Sequence, residues 1–233
     1  MRINTFSKIL VPVDLTPHSI ETAVYASSLA QRLSAQLLFL HVERIQWPLD
    51  HDQIEVRDAI LNLTARTDRL LFRRGAPARV IVETAHAEQV GLILIASRKK
   101  PFLTRLFDGS VTAHVLRHAP CPVWAALHEL SPLSLDPIRS IVCEEAGPVL
   151  DFAVTVGDRL DARVFIHHES RVVELTAVYS GLQSSTALLP EPVDIDEPDL
   201  LVIPKPSGPK LFADVRTSAY ERALQLRRPV ACV

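Results

Sequence analysis

"PARVIVETAHAEQVGLILIAS", residues 77–97, decides the fold, because its first half combines the β-branched residues of a strand with the spacing of a helix. If VIVET were a strand, about seven residues would remain to return to GLILIAS, and a parallel crossover needs about a dozen. The stretch is therefore read as a helix followed by a strand. Pro77 suits a first helical turn, and Ile81, Ala85 and Glu88 recur at helical spacing. GLILIAS then supplies a buried strand over residues 92–96.

Working outward, RLLFR at 69–73 becomes the preceding strand, with a helix before it over about 53–65. The apolar runs at 9–13 and 36–42 read as further buried strands. Between those two, Thr16 takes the N-cap position and Pro17 the first helical one, while Ile20, Ala23, Ser27, Ala30 and Leu33 mark one helical face. Beyond 97, a helix is expected over 110–118 and a strand over 122–126. Strands and helices alternate throughout. That pattern specifies an α/β fold, a doubly wound and mostly parallel sheet with helices on both faces.

The second half repeats the first. QRLSAQLLFLHVE (31–43) and DRLDARVFIHHES (158–170) align at an offset of 127, placing Arg32 on Arg159, Leu33 on Leu160, Ala35 on Ala162 and His41 on His168. LILIASRKKPFLTRLFDGS and LLVIPKPSGPKLFADVRTS align at an offset of 108, placing Ile95 on Ile203, Pro101 on Pro209, Leu103 on Leu211 and Ser110 on Ser218. An internal duplication is the simplest reading. The fall in offset makes the second copy 19 residues shorter between its second and fourth strands. One helix, with or without an edge strand, is expected to be missing there. Residues 129–137, ELSPLSLDP, form the expected linker, giving domains over 1–128 and 138–233.

With 233 residues, 48% of them hydrophobic, the chain can bury one large core or two small ones, which excludes disorder as its main state. A formal charge of −2 gives no whole-chain reason to expect nucleic acid. Cys121, Cys143 and Cys232 form neither a CxxC pair nor an even set, so no disulfide framework is signalled and a reducing cytoplasm is expected. No apolar run approaches membrane-spanning length, and the run before Asp14 is too short for a signal peptide, so no membrane association is expected.

At this level of detail the chain resembles the universal stress protein family. KILVPVDLTPHSIETAVYASSLAQRLSAQLLFLHV is similar to the family's first strand, helix and second strand, GAPARVIVETAHAEQVGLILIAS to its third helix and fourth strand, and FDGSVTAHVLRHAPCPV to its last helix and strand. The resemblance implies a five-stranded sheet of the adenine nucleotide alpha hydrolase-like type, here duplicated in tandem. In the ATP-binding branch, a loop carries glycine, two residues, glycine, nine residues, then glycine with Ser or Thr. Those positions hold Ala96, Lys99, Gly109 and Ser110 here, followed by Val111. Gly109 and Ser110 at a helix start present backbone N–H groups and a hydroxyl to an anion. Lys99 cannot supply the close backbone approach of a glycine. Its ammonium, with Arg98, Lys100 and Arg105, is a charge able to meet phosphate instead. Pro12, Val13 and Val42 match family positions lining an adenine and ribose pocket, and Asp14 sits at the carboxyl end of the first strand, where open α/β sheets bind ligands. Asp14 could equally cap the following loop, and Val42 could be core.

In the second copy the corresponding residues are Glu144 after a shortened turn, then Pro204, Ser207, Thr217 and Ser218, with no glycine at those four loop positions. The resemblance thus implies a partly preserved ATP or AMP pocket in the first domain only, in a non-enzymatic stress-response or regulatory protein. The competing class is an ATP- or AMP-binding switch, with or without slow hydrolysis. Family members pair through their last strands, so 122–126 and 229–233 are expected to pair within the chain; a further homo-oligomer is compatible with that, and no protein partner is identified. Three rival readings are weaker. His114, His118 and Cys121 match zinc signatures loosely, and no metal is expected. Asp14, His41 and Ser110 lack a nucleophile elbow. Lys99 and Lys100 beside Phe102 form too short a cluster to indicate RNA.

Overall fold

KILVPV has no side chain to turn toward water beyond its first lysine, so a strand built from it must be covered on both faces. In the computed structural model that strand is β1 (Lys8–Val13), with Ile9, Leu10 and Val11 fully buried. The structure describes residues 6–43, 50–63, 69–97, 111–127, 138–143, 146–168, 171–174, 198–205 and 229–233. It divides into two compact units, Met1–Asp136 and Pro137–Val233. The linker expected at 129–137 lies outside the described residues.

In the first unit, α1 (Pro17–Leu33), β2 (Gln36–Glu43), α2 (His51–Leu63), β3 (Arg69–Arg74), α3 (Pro77–Ala87), β4 (Leu92–Ser97), α4 (Val111–His118) and β5 (Val123–Leu127) follow β1. The strands lie in the order β3-β2-β1-β4-β5, each pair parallel. Right-handed crossovers that step from β1 to β3 put α1 and α2 on one face, and those that return to β4 and β5 put α3 and α4 on the other. Accordingly α1 packs on α2 and α3 on α4. The ambiguous stretch is a helix from Pro77, burying Val80, Ile81, Thr84 and Ala85. It ends through a turn at Gln89 (φ 53°) that lets Val90 N–H reach the Ala85 carbonyl at 2.9 Å and starts β4.

The second unit contains β6 (Ser140–Cys143), α5 (Pro148–Leu160), β7 (Arg163–His168), β8 (Arg171–Glu174), β9 (Leu200–Ile203) and β10 (Val230–Cys232). Its order is β10-β9-β6-β7-β8, parallel except for β8, which runs antiparallel to β7. The edge beside β7 is therefore occupied, by a hairpin strand in place of one reached through a helical crossover. Residues 175–197 lie outside the described residues.

Several details recur in corresponding elements of the two units. Both α1 and α5 begin with proline and close on a non-glycine residue in the left-handed region, Ser34 (φ 54°, ψ 47°) and Asp161 (φ 55°, ψ 45°). Ala35 N–H reaches the Ala30 carbonyl at 2.9 Å, and Ala162 N–H reaches that of Gly157 at 3.0 Å. Ile93 N–H bonds to Pro122 O at 3.0 Å, and Leu201 N–H to Pro229 O at 3.2 Å. No described helix is long and apolar enough to cross a membrane.

Two predictions follow from packing. A Cβ on Gly157 would lie 2.5 Å from Val164 Cγ2 and 3.1 Å from the Ala162 carbonyl oxygen, so α5 approaches β7 too closely for a side chain. Gly157→Val is expected to destabilise by about 1–3 kcal/mol through overpacking, read as a lower denaturant midpoint. All three cysteines are buried, and burial pushes the Cys232 thiol up to about 12, with Lys205 opposing. Because thiolate is the reactive form, Ellman's reagent at pH 8 is expected to label none of the three quickly until denaturant is added.

Candidate functional site

A sheet wound outward in both directions leaves a crevice at the carboxyl ends of its strands where the winding reverses, here between β1 and β4. Val13 ends β1 and is nearly buried; Pro12 before it is half-buried and Asp14 after it is exposed. The register Ile9↔Leu92 carries Ala96 of β4 to the level of Val13. Val42 of β2 is half-buried, and Val111 opens α4, which follows β4 from the same edge. Pro12, Val13, Asp14, Val42 and Ala96 thus share one edge of the sheet. Lys99, Gly109 and Ser110 lie outside the described residues, as do Arg98, Lys100 and Arg105.

The ladder between β1 and β2 ends at Val13↔His41, while β2 continues beside β3 through Val42↔Arg73 and Glu43↔Arg74. β2 therefore overruns β1 by two residues, making a step at the edge. Arg74 closes its far side, with Nε 3.1 Å from Glu43 Oε2.

The exit from β1 is built from short polar side chains. Asp14 Oδ1 accepts from Thr16 N–H at 3.2 Å, Thr16 Oγ1 at 2.7 Å and Ser19 Oγ at 2.9 Å. Ser19 Oγ in turn accepts from Asp14 N–H at 3.2 Å. Thr16 is the N-cap of α1, as expected, but its hydroxyl serves Asp14, and the helix has no side-chain cap. Such a cap is ordinarily worth about 1 kcal/mol. Leu15, between the two, holds φ 53° with its side chain 2% exposed. On the β2 side, the His41 ring is buried and its Nδ1 lies 3.0 Å from Val13 O. A carbonyl oxygen only accepts, so Nδ1 carries the hydrogen. The ring also meets Phe72 edge-on, with centroids 5.9 Å apart.

Asp14 thus does cap its loop, and it does so at the edge where a ligand would bind. In the sequence His41 is marked only by its alignment with His168 and by the rejected catalytic grouping, and Ser19 carries no role. The Asp-x-Thr-x-x-Ser spacing at 14, 16 and 19 was the available signal, since such side chains bond to nearby backbone at turns and helix starts.

Among the described residues, neither rival pairing of side chains forms, while Ser110, Lys99, Lys100 and Phe102 lie outside them. The hydrogen bond of His41 goes to Val13 O and not to Asp14, so no acid–base pair forms there. His118 Nδ1 donates to His114 O at 2.8 Å, and the two rings stack at 4.2 Å with 26° between planes. Nearly parallel rings have no common in-plane point for a metal at a bond length of about 2.0–2.1 Å. Among the described residues no group of three His, Cys, Asp or Glu could hold a metal ion.

Comparison with known proteins gives a consistent picture. The universal stress protein family matches residues 5–126. A universal stress protein of Methanocaldococcus jannaschii is 26% identical over 138 residues, covering 52% of this chain and 81% of that one. Another, of Thermus aquaticus, is 31% identical over 134 residues, covering 51% of this chain and 96% of that one. The crystal structure of a universal stress protein from Archaeoglobus fulgidus has a TM-score of 0.64 at 17% identity, over 98% of this chain and 96% of that chain, a likeness of fold.

Burial, then the neighbouring His118 and Arg117, holds the His114 imidazole below the usual histidine range. As pH falls, the unfolded chain therefore takes up this proton first, so the group disfavours folding below about pH 6.5. In an NMR titration, His118→Gln is expected to raise the His114 midpoint while leaving it under that value, because burial, the larger cause, remains.

Proposed function

Because the chain belongs to the universal stress protein family, we propose that its first unit is a non-enzymatic stress-response or regulatory domain that holds ATP or AMP at the carboxyl ends of β1, β2 and β4. The observation that carries this reading is the pre-formed exit of β1 beside the overrun of β2. Pro12, Val13 and Val42 offer apolar surface to an adenine ring there, and strand-end backbone groups near Asp14 offer hydrogen bonds to its edge. Phosphates would extend toward the start of α4, meeting the amides of Gly109, Ser110 and Val111 and the charges of Lys99 and its basic neighbours. Ala96, at the level of Val13, would floor the crevice.

The second unit, on this reading, is a scaffold descended from the same ancestor. The left-handed helix ends at an offset of 127, together with proline starts and similar strand hydrogen bonds in corresponding elements, support a tandem duplication. The loop positions Ser207, Thr217 and Ser218 contain no glycine, so its phosphate end would be lost. Pairing of 122–126 with 229–233 would remove an exposed edge from each unit, which is the physical advantage of such an arrangement. A cytoplasmic setting agrees with three buried cysteines that form no disulfide.

Native mass spectrometry of the purified full chain is expected to find bound adenine nucleotide. ATP or AMP at a hundred times its Kd should stabilise the protein by about 2.7 kcal/mol, seen as a rise in melting temperature. Ser110→Trp should abolish both signals, and unchanged binding would put the nucleotide elsewhere.

A further inference from the structure

The Val13–Asp14 peptide is held at both of its polar atoms by side chains. Its carbonyl oxygen accepts from His41 Nδ1 at 3.0 Å, and its N–H donates to Ser19 Oγ at 3.2 Å. One clamp comes from β2 and the other from the first turn of α1. From this we propose that His41 is a positioning residue for the nucleotide pocket: with Ser19 it fixes the peptide plane at the end of β1, and so sets the strand-end groups at Val13 and Asp14 against Val42. The proposal rests on the nucleotide reading above and names the device that prepares that site.

Three features separate this clamp from ordinary packing. The helix gives up its side-chain cap, because the Thr16 hydroxyl turns back to Asp14 Oδ1 at 2.7 Å. Leu15 holds a backbone conformation uncommon for a branched residue, with φ 53°. The donor at Val13 O is a buried imidazole braced edge-on by Phe72, so it cannot follow the peptide if the peptide turns. Local stability is thus conceded twice within three residues, at the carboxyl edge of the strand flanking the topological switch. Unfavourable conformations persist where surroundings over-determine them, and they cluster at ligand clamps. Without the His41 hydrogen bond the carbonyl would be free to rotate and Leu15 to relax, moving the edge that the ligand meets.

The test compares AMP and ATP binding by calorimetry for the full-length chain and its His41→Leu, His41→Asn and Ser19→Ala variants, with melting curves to verify folding. Asn can place an N–H near the position of Nδ1, whereas Leu cannot. Loss of one positioning hydrogen bond is expected to raise Kd about tenfold in His41→Leu and Ser19→Ala, and His41→Asn should recover most of it. The 1H–15N resonance of Asp14 should move in His41→Leu and return toward its original position in His41→Asn. Equal Kd values in the original protein and in either His41→Leu or Ser19→Ala would overturn the positioning role while leaving the nucleotide reading intact. Absence of binding by the original protein would overturn both. If His41→Leu fails to fold, Ser19→Ala and the His41→Asn resonance still decide.

Discussion

A parallel sheet covered by helices on both faces can place polar groups only at the two ends of its strands. The middle of β1, β2 and β4 is accordingly apolar, with Leu10, Phe39 and Ile93 fully buried, and the unit's chemistry is divided between an amino edge and a carboxyl edge. Every site residue of the first unit is where it is because of that division. The core sets the sheet, and the sheet leaves only its rims for function.

The two rims are built differently. At the amino edge, polar side chains tie strand starts to the preceding loops: Lys8 Nζ donates to the Glu88 carbonyl at 2.9 Å, and Arg69 Nη2 lies 3.3 Å from Glu88 Oε1. The second unit does the same with Asp199, whose Oδ2 accepts from Arg139 N–H, Ser140 N–H and Ser140 Oγ, while its own N–H donates to that hydroxyl. At the carboxyl edge of the first unit, a comparable number of short side chains is spent on holding one turn around a left-handed Leu15 and an uncapped helix. Left-handed non-glycine residues occur on both rims, Ser34 and Gln89 on the amino side and Leu15 on the carboxyl side, so what sets the carboxyl rim apart is the Thr16 hydroxyl turned back to Asp14.

Much of this was legible in residues taken in order. The crossover-length argument at 77–97 resolved a stretch whose propensity pointed the other way, and α3 and β4 follow it to within a residue or so. Pro17 and Pro77 located helix starts, since a first-turn proline forgoes only an N–H that has no helical partner. Helix ends were less readable, because Ser34 and Asp161 occupy the left-handed position that glycine usually marks. Of the candidate site, Asp14 was indicated by topology, and Pro12, Val13, Val42 and Ala96 by the family resemblance. The hydrogen bonds were not, because whether Thr16 caps a helix or serves a carboxylate two residues away is settled by the backbone turn at Leu15, and no propensity favours that turn. His41 was hidden for a different reason: its partner is a carbonyl in another strand, and register alone brings the two together.

The reversed edge strand of the second unit follows from chain length. A parallel edge strand beside β7 would need a crossover of about a dozen residues or more to return to the starting end of the sheet. Only two residues, 169 and 170, separate β7 from β8, too few for such a crossover. An antiparallel strand needs only a tight turn, and β8 begins three residues after β7 ends, pairing His168↔Arg171 through Phe165↔Glu174. The reversal leaves β6, β7, β9 and β10 in their parallel order, because an edge strand has one neighbour and its direction constrains nothing else. It does change the carboxyl rim. Where the first unit has the outgoing ends of β2 and β3 side by side, stepped beyond β1, the second has the end of β7 beside the start of β8. An edge strand can thus run in either direction without disturbing the parallel core beside it.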